Sequence, residues 1–214
     1  KLTAGWGHDG HAFFSLSYRP TCTDLIDSDR GIPKNSQIVF ANTEARYYPG
    51  SRKLRLESFD IAKITALPSA SRFDVARSFM FETGAHQQAL PGGGSSLSGY
   101  LNGGLGASLS FSRFAHVYAV AKSENDFSGG YSRNALTAIG GQFGIISDFF
   151  DVWKSIVTCT ALAVPWGDTT RILRVSVEER VSLSSGFQVT GQYSREYCFK
   201  RTEDLFCVRG ELLF

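Results

Sequence analysis

The sequence predicts an all-β protein: one domain, residues 1–214, folded as a closed, antiparallel, up-and-down transmembrane β-barrel of about twelve strands. Three observations predict it. The tail Asp204–Phe214 alternates in polarity, with Phe206, Val208, Leu212 and Phe214 on one face and Cys207, Arg209 and Glu211 on the other. One face is oily and the other carries opposite charges, as a sheet wall between lipid and a polar interior requires. The composition agrees, since glycine (22), phenylalanine (17) and tyrosine (8) are abundant, which suits a sheet. Finally, no uninterrupted apolar stretch reaches the roughly 18–20 residues of a membrane-spanning helix. A closed barrel is then the only way across a bilayer, because lipid cannot satisfy an open sheet edge.

The elements follow in order. His8-Asp9-Gly10 predicts a tight hairpin joining Leu2–Gly7 to His11–Arg19, because Asp-Gly supplies the positive φ such turns need. A loop rich in Asp, Pro and Gly spans Pro20–Asn35. Gln37–Tyr47 then places Val39, Ala41, Thr43, Ala45 and Tyr47 against Asn42, Glu44 and Arg46, and Pro49-Gly50-Ser51 closes the strand. Lys53–Ile64 sets Leu54 and Leu56 against Arg55 and Glu57, then slips in phase near Ser58, the mark of a bulge. Phe73–Thr83 is the next strand, and Gly84–Gly99, with Pro91-Gly-Gly-Gly-Ser-Ser96, reads as a flexible loop. From Leu101 to Phe111 every second residue is apolar or small, and Arg113-Phe114 turns the chain into Ala115–Glu124. After a loop at Asp126–Arg133 come Asn134–Ser147, Trp153–Val164, Thr170–Ser182, Phe187–Cys198 and the terminal strand. An even count returns both ends to the same side.

A net charge of +2, without a basic cluster interleaved with aromatics, argues against a nucleic-acid partner. Lys1 follows neither an initiator methionine nor a leader, so a processed form or a piece of a longer protein is expected. Cys22, Cys159, Cys198 and Cys207 fit neither a disulfide framework nor a zinc pattern. A turn at Arg201–Asp204 would set Cys198 opposite Cys207. A disulfide and two small buried neighbours are both open at this point.

The inward face collects Arg19, Arg46, Arg55, Lys122, Arg174, Arg180 and Arg209 with Glu44, Glu57, Glu124, Glu178 and Glu211. Such near balance predicts a network that fills a narrow lumen, since selective pores carry rings of one sign. His116 joins it. His8, His11 and His86 fall at one end with Ser95 and Ser96, where a metal site or an activated serine was weighed against exposed loop histidines, the favoured assignment. No Gly-x-Ser-x-Gly elbow, His-Glu-x-x-His motif or phosphate-cradling loop occurs, so no catalytic residue, metal or cofactor is assigned. Trp6, Tyr18, Tyr47, Tyr48, Phe149, Phe150, Trp153, Trp166 and Tyr197 are candidates for interfacial belts.

Several segments bring a family into view. Ser17-Tyr-Arg-Pro20, Asp24-Leu-Ile-Asp27, Ser36-Gln-Ile-Val39, Arg46-Tyr-Tyr-Pro49 and Lys53-Leu-Arg-Leu-Glu57 resemble the C-terminal region of Gram-negative proteins in domain-of-unknown-function family 4105. Tyr100-Leu-Asn-Gly-Gly-Leu-Gly106 is similar to a second signature of that region. The resemblance covers nearly the whole chain. It implies an outer-membrane barrel fused behind a periplasmic domain related to the lipoprotein N-acyl transferase Lnb. The family's cysteine-and-histidine centre lies in that N-terminal domain and nothing here matches it. Phe214 resembles the terminal aromatic by which outer-membrane barrels are recognised for insertion. The expected role is therefore an anchor and docking platform, in contact with outer-membrane lipid and a periplasmic domain or envelope partner. Both termini would be periplasmic, with Asp24, Asp27, Asp29 and Arg30 of the long loop as partner contacts. A lipid or acyl-chain hydrolase or acyltransferase and a small-solute channel are the alternatives.

Overall fold

In the computed structural model, residues 1–20, 25, 35–69, 77–90, 94–112, 114–149 and 152–213 are described. Their strands are β1 (Leu2–His8), β2 (Ala12–Tyr18), β3 (Ser36–Tyr48), β4 (Lys53–Ala66), β5 (Ser78–Ala89), β6 (Ser95–Ser110), β7 (Ala115–Phe127), β8 (Ala135–Phe149), β9 (Trp153–Trp166), β10 (Arg171–Ser184), β11 (Phe187–Cys198) and β12 (Arg201–Leu212). Each pairs antiparallel with its sequence neighbours, and β1 closes the circle on β12. Leu2 lies opposite Leu212, so both ends of the sheet meet at one end of the barrel, the terminal end.

Strict alternation builds the wall. On β6, Leu101, Leu105 and Leu109 face out while Tyr100, Asn102 and Ser108 are buried within; on β12, Phe206, Val208 and Leu212 face out while Cys207 and Glu211 are buried. The outward aliphatic and aromatic side chains run round every strand pair, which leaves an apolar exterior fit for hydrocarbon and pushes the polar groups into the lumen.

Three places on β3 and β4 break the simple pattern, and each has a local cause. Ala41 takes a left-handed φ of 51°, which advances the phase of β3 by one residue. Val39 is therefore buried in the lumen, not on the face of Tyr47 where strict alternation puts it. The slip expected near Ser58 is present: Glu44 pairs Ser58 but Ala45 pairs Leu56, leaving Glu57 as an extra residue on β4. Ile61 is a second extra residue against β5. Between these bulges Asp60 turns into the lumen against the unbroken beat, and beyond the second Lys63 and Thr65 return to the inward phase of Arg55 and Glu57.

The segment Gly84–Gly99 is not a loop. Gly84–Ala89 extends β5 and Ser95–Gly99 begins β6, with His86 opposite Ser98. The run His86-Gln87-Gln88 lacks apolar partners because this stretch borders a wet cavity, so its alternation is hidden. Residues 70–76, where the expected strand Phe73–Thr83 starts, lie outside the described residues apart from its later part in β5.

The last hairpin turns at Phe199 and Lys200, with φ of 50° and 59°. Such a turn ordinarily announces itself with Asn-Gly or Asp-Gly, and neither is present. Cys198 consequently pairs with Arg201, Cys207 pairs with Gln192, and both thiols are free. The disulfide reading is thereby overturned. Cys22 lies outside the described residues.

The terminal end of the lumen is stoppered. Leu67, Met80, Tyr118, Val120, Ile146 and Ile156 form one buried apolar cluster, and Leu25 of the long β2–β3 connection packs against it. Ser108 Oγ donates to the Pro68 carbonyl at 2.7 Å and Ser69 Oγ accepts from the Ser110 amide at 2.9 Å, so the segment after β4 is folded inward. Each such aliphatic side chain contributes about 1.5–3 kcal/mol on burial. Tyr118 reaches this position because its cross-strand partner is Gly144: a Cβ there would meet the tyrosine ring at 2.3 Å. At the far end a second cluster, Tyr131, Leu136, Ala138, Leu162, Ile172 and Cys198, packs on one side only.

Gly144→Leu should therefore expel Tyr118 from the stopper and cost about 1–3 kcal/mol, the usual penalty of overpacking. A lower unfolding temperature of the detergent-folded barrel, read as the loss of its compact band on unboiled gels, is the expected result.

Candidate functional site

Between the stopper and the far rim lies a polar vestibule. Its outer cavity, about 720 Å³, is bordered by the β1–β2 turn, the upper parts of β3 and β4, and the β11–β12 hairpin. A deeper cavity of about 300 Å³ adjoins it through Gln87, Gln88 and Glu196.

Two ion-pair networks make its walls. In the first, Arg209 on β12 reaches Glu44 on β3 at 3.3 Å, Arg46 meets Glu44 at 2.9 Å and Glu57 at 3.1 Å, and Arg55 meets Glu57 at 2.8 Å. Asp9, in the β1–β2 turn, ties in through Arg46 at 3.1 Å and the Tyr48 hydroxyl at 2.7 Å. The span from β12 to β3 crosses the whole β1–β2 hairpin. It is possible because inward positions there are small: a Cβ on Gly5 would meet Arg209 Cγ at 2.8 Å and Ser15 Oγ at 2.9 Å. Phe13, buried beneath the guanidinium of Arg46 at 4.3 Å from its ring centre, supports the charge from below.

The second network is deeper. Glu124 receives Lys122 at 2.9 Å and Arg174 at 3.1 Å, and Arg174 also holds Glu196 at 2.6 Å. Beside it Asp60 accepts from the Tyr100 hydroxyl at 2.6 Å and from Asn42 at 2.8 Å, with Lys63 at 3.4 Å. Near the terminal end Glu211 is satisfied by Lys1, by Gln188 at 2.6 Å and by Thr190 at 2.8 Å.

The expected inward charges largely meet: Glu44, Arg46, Arg55, Glu57 and Arg209 in one network, Lys122, Glu124 and Arg174 in the other. Arg180 is buried opposite Lys154, Glu178 is half-buried on the same face, and His116 is buried with Nδ1 at 3.1 Å from Ser110 Oγ. Arg19 lies just past β2, its carbonyl accepting from the Lys1 amino terminus at 2.9 Å. The alternation did not disclose Asp9, Asp60, Lys63, Glu82, Asp126 and Glu196. Asp60 sits between the two β4 bulges and Lys63 just beyond them, and Asp126 closes a strand read as ending at Glu124. Asp24, Asp27, Asp29, Arg30, Phe150 and Phe214 lie outside the described residues.

The histidines separate. His8 and His11 flank the first turn beside the outer cavity, whereas His86 is within the lumen, stacked on Tyr100 at 4.9 Å between ring centres. Its Nε2 faces Gln88 at 3.0 Å and Asp126 at 3.3 Å. Ser98, its cross-strand partner, is fully enclosed and makes no hydrogen bond to it. Ser95 Oγ accepts from Arg55, and Ser96 pairs with Ser128. None of Ser95, Ser96 and Ser98 has the histidine contact that nucleophilic catalysis uses. Among the described residues, no three His, Cys, Asp or Glu side chains converge as metal ligands.

The belts are partly as expected: Tyr18, Tyr47, Phe149, Trp153 and Trp166 face outward. Tyr48 does not. It turns into the lumen and donates to Asp9.

An apolar outside, paired charge inside and closed antiparallel wall define a β-barrel of the outer-membrane type. The chain belongs to the family described as a domain of unknown function, DUF7840, which matches residues 1–208. Among solved structures, it is similar to the NanC porin, with a TM-score of 0.56, 7% identity and 100% of both chains covered. It is also similar to the KdgM porin in complex with disordered oligogalacturonate, with a TM-score of 0.53, 8% identity, and 100% of this chain and 98% of that one covered. No curated protein matches the chain.

Because Glu124 is buried between two cations, Glu124→Ala should leave buried Lys122 with only Glu82 at 3.9 Å and Arg174 with only Glu196, and cost about 3 kcal/mol. The solvent-exposed pair Arg195–Asp204, at 2.7 Å, should matter little when Arg195→Ala removes it. Thermal unfolding of the two variants side by side measures the contrast.

Proposed function

We propose that this barrel resides in the bacterial outer membrane as an anchor and docking platform, with both termini in the periplasm, for a periplasmic Lnb-like domain or an envelope partner. The observation that carries this is the stopper at the terminal end. A lumen filled on its β4–β9 side by Leu67, Met80, Tyr118 and Ile156, and elsewhere by charges paired with one another, suits holding better than conducting. The similarity to porins concerns the fold, and the oligogalacturonate of the KdgM complex finds no ring of one charge here to receive it.

The lengths of the connections depart from the usual pattern in a way that the docking role accounts for. Residues 19–35 and 67–77, between β2 and β3 and between β4 and β5, both leave the terminal end. Typical outer-membrane barrels keep short turns on the periplasmic side and long loops outside. Here the long connections are on the side of the termini, which is where a periplasmic partner would meet them.

In a background with all four cysteines changed to serine, Gly129→Cys should react with a membrane-impermeant maleimide on intact cells. Gly186→Cys, at the terminal end, should react only after the envelope is opened, and the reverse pattern would invert the orientation. Replacing Asp24, Asp27, Asp29 and Arg30 with alanine should release the partner captured with the wild-type barrel from solubilised membranes while the barrel remains folded. Full retention of that partner would count against the docking role. The channel alternative predicts a steady conductance in planar bilayers, and the stoppered lumen predicts none.

A further inference from the structure

The outer surface is not the same at its two rims. At the far rim, Arg133 sits over Trp166 with its guanidinium carbon 4.4 Å from the ring centre, and Arg171 sits over Tyr197 at 5.3 Å. These residues come from the edges of four successive strands, β8 to β11, so arginine, tryptophan, arginine and tyrosine form a row. Both arginines are exposed. Among the described residues neither has a carboxylate within ion-pair distance. The nearby Asp168 is engaged with the Ser132 hydroxyl and accepts from its amide at 2.9 Å, which ties the turn carrying Arg133 to the β9–β10 turn. Directly below, Ile139, Leu173 and Val175 face outward into the apolar band.

The terminal-end rim is built the opposite way. There Trp153 donates its indole N–H to Glu179 at 2.5 Å, and Ser155 donates to the same carboxylate at 2.6 Å. Trp166 and Tyr197 at the far rim carry free cations and Trp153 at the terminal end a carboxylate, although next along β11 Tyr193 and Arg195 share Asp204. A headgroup layer that is the more anionic at the far rim is the chemical complement of this arrangement.

We infer that the outer rim of β8–β11 binds a glycolipid bearing two phosphates, one at Arg133 and one at Arg171, with its acyl chains on the apolar band beneath. The inference rests on the outer-membrane reading above and fixes the lipid-contacting face within it. Strands two apart are separated by about 10 Å, a span that a disaccharide phosphorylated at both ends can bridge. Guanidinium groups bind phosphate oxygens through two parallel hydrogen bonds, and an arginine already seated on a ring is held ready to do so.

The test uses the intact chain folded in non-ionic detergent, titrated by native mass spectrometry with a bisphosphorylated lipid A-type glycolipid, its dephosphorylated form and phosphatidylglycerol. The bisphosphorylated glycolipid should bind best. The double variant Arg133→Gln, Arg171→Gln should bind it at least about tenfold more weakly, and Arg77→Gln, exposed at the other end, should bind as the wild type does. Equal binding by wild type and double variant, or equal binding of the dephosphorylated lipid, overturns the site. Heat-dependent migration on gels is followed for every sample. A chain that never folds in detergent refutes the membrane reading itself, whereas folded variants with unchanged lipid binding refute only the rim site.

Discussion

Closure of β1 on β12 is the constraint on which the rest depends. In hydrocarbon each unpaired backbone N–H or C=O costs several kcal/mol, so the seven pairs from Leu2–Leu212 to His8–Phe206 decide whether the sheet can sit in a membrane at all. Once closed, the barrel turns its charges into a lumen where Glu44, Arg46, Lys122 and Glu124 are buried from water. Its carboxylates and guanidinium groups must neutralise one another in place. The span from Arg209 to Glu44 is where the two requirements meet, because it braces the short β1–β2 hairpin that completes the circle, and glycine and serine beneath it leave the room.

The two-residue beat made most of this legible. It locates the strands, separates an oily face from a charged one, and marks eight members of the two principal networks as inward. It failed where backbone geometry, not side-chain polarity, sets the phase. Ala41 in the left-handed region carries no glycine or asparagine to advertise it, and Phe199-Lys200 makes a tight turn from residues that ordinarily avoid one. Glu57 and Ile61 shift β4 twice, so Asp60 and Lys63 enter the lumen although the unbroken pattern divides them between faces. His86 was misplaced for another reason: a strand that borders a wet cavity on one side reads as a polar loop.

Stopper and vestibule divide the lumen by chemistry. Toward the termini, on the β4–β9 side, Met80, Tyr118, Val120, Ile146 and Ile156 pack together as a protein core does, while Lys1, Gln188, Thr190 and Glu211 satisfy one another across from them. Toward the far rim they are Glu82, Lys122, Glu124 and Arg174, which require one another. A polypeptide segment can dock on the first kind of surface by adding apolar contacts, and Leu25 already does so. The second kind resists change, since removing any one member leaves a neighbour desolvated and unpaired.

The same asymmetry reaches the exterior and the connections. A barrel that needed its terminal end only for turns would keep every connection there as short as the one between Ser184 and Phe187. Instead the chain commits residues 19–35 and 67–77 to that end and brings Leu25 and Leu67 from them into the lumen. Long loops carry an ordering cost that grows only slowly with length, so their retention is inexpensive once two apolar side chains fix them. The terminal end is thus the more elaborated face, and the far rim, with its short turns and its arginines seated on aromatic rings, is the face shaped to the lipid layer.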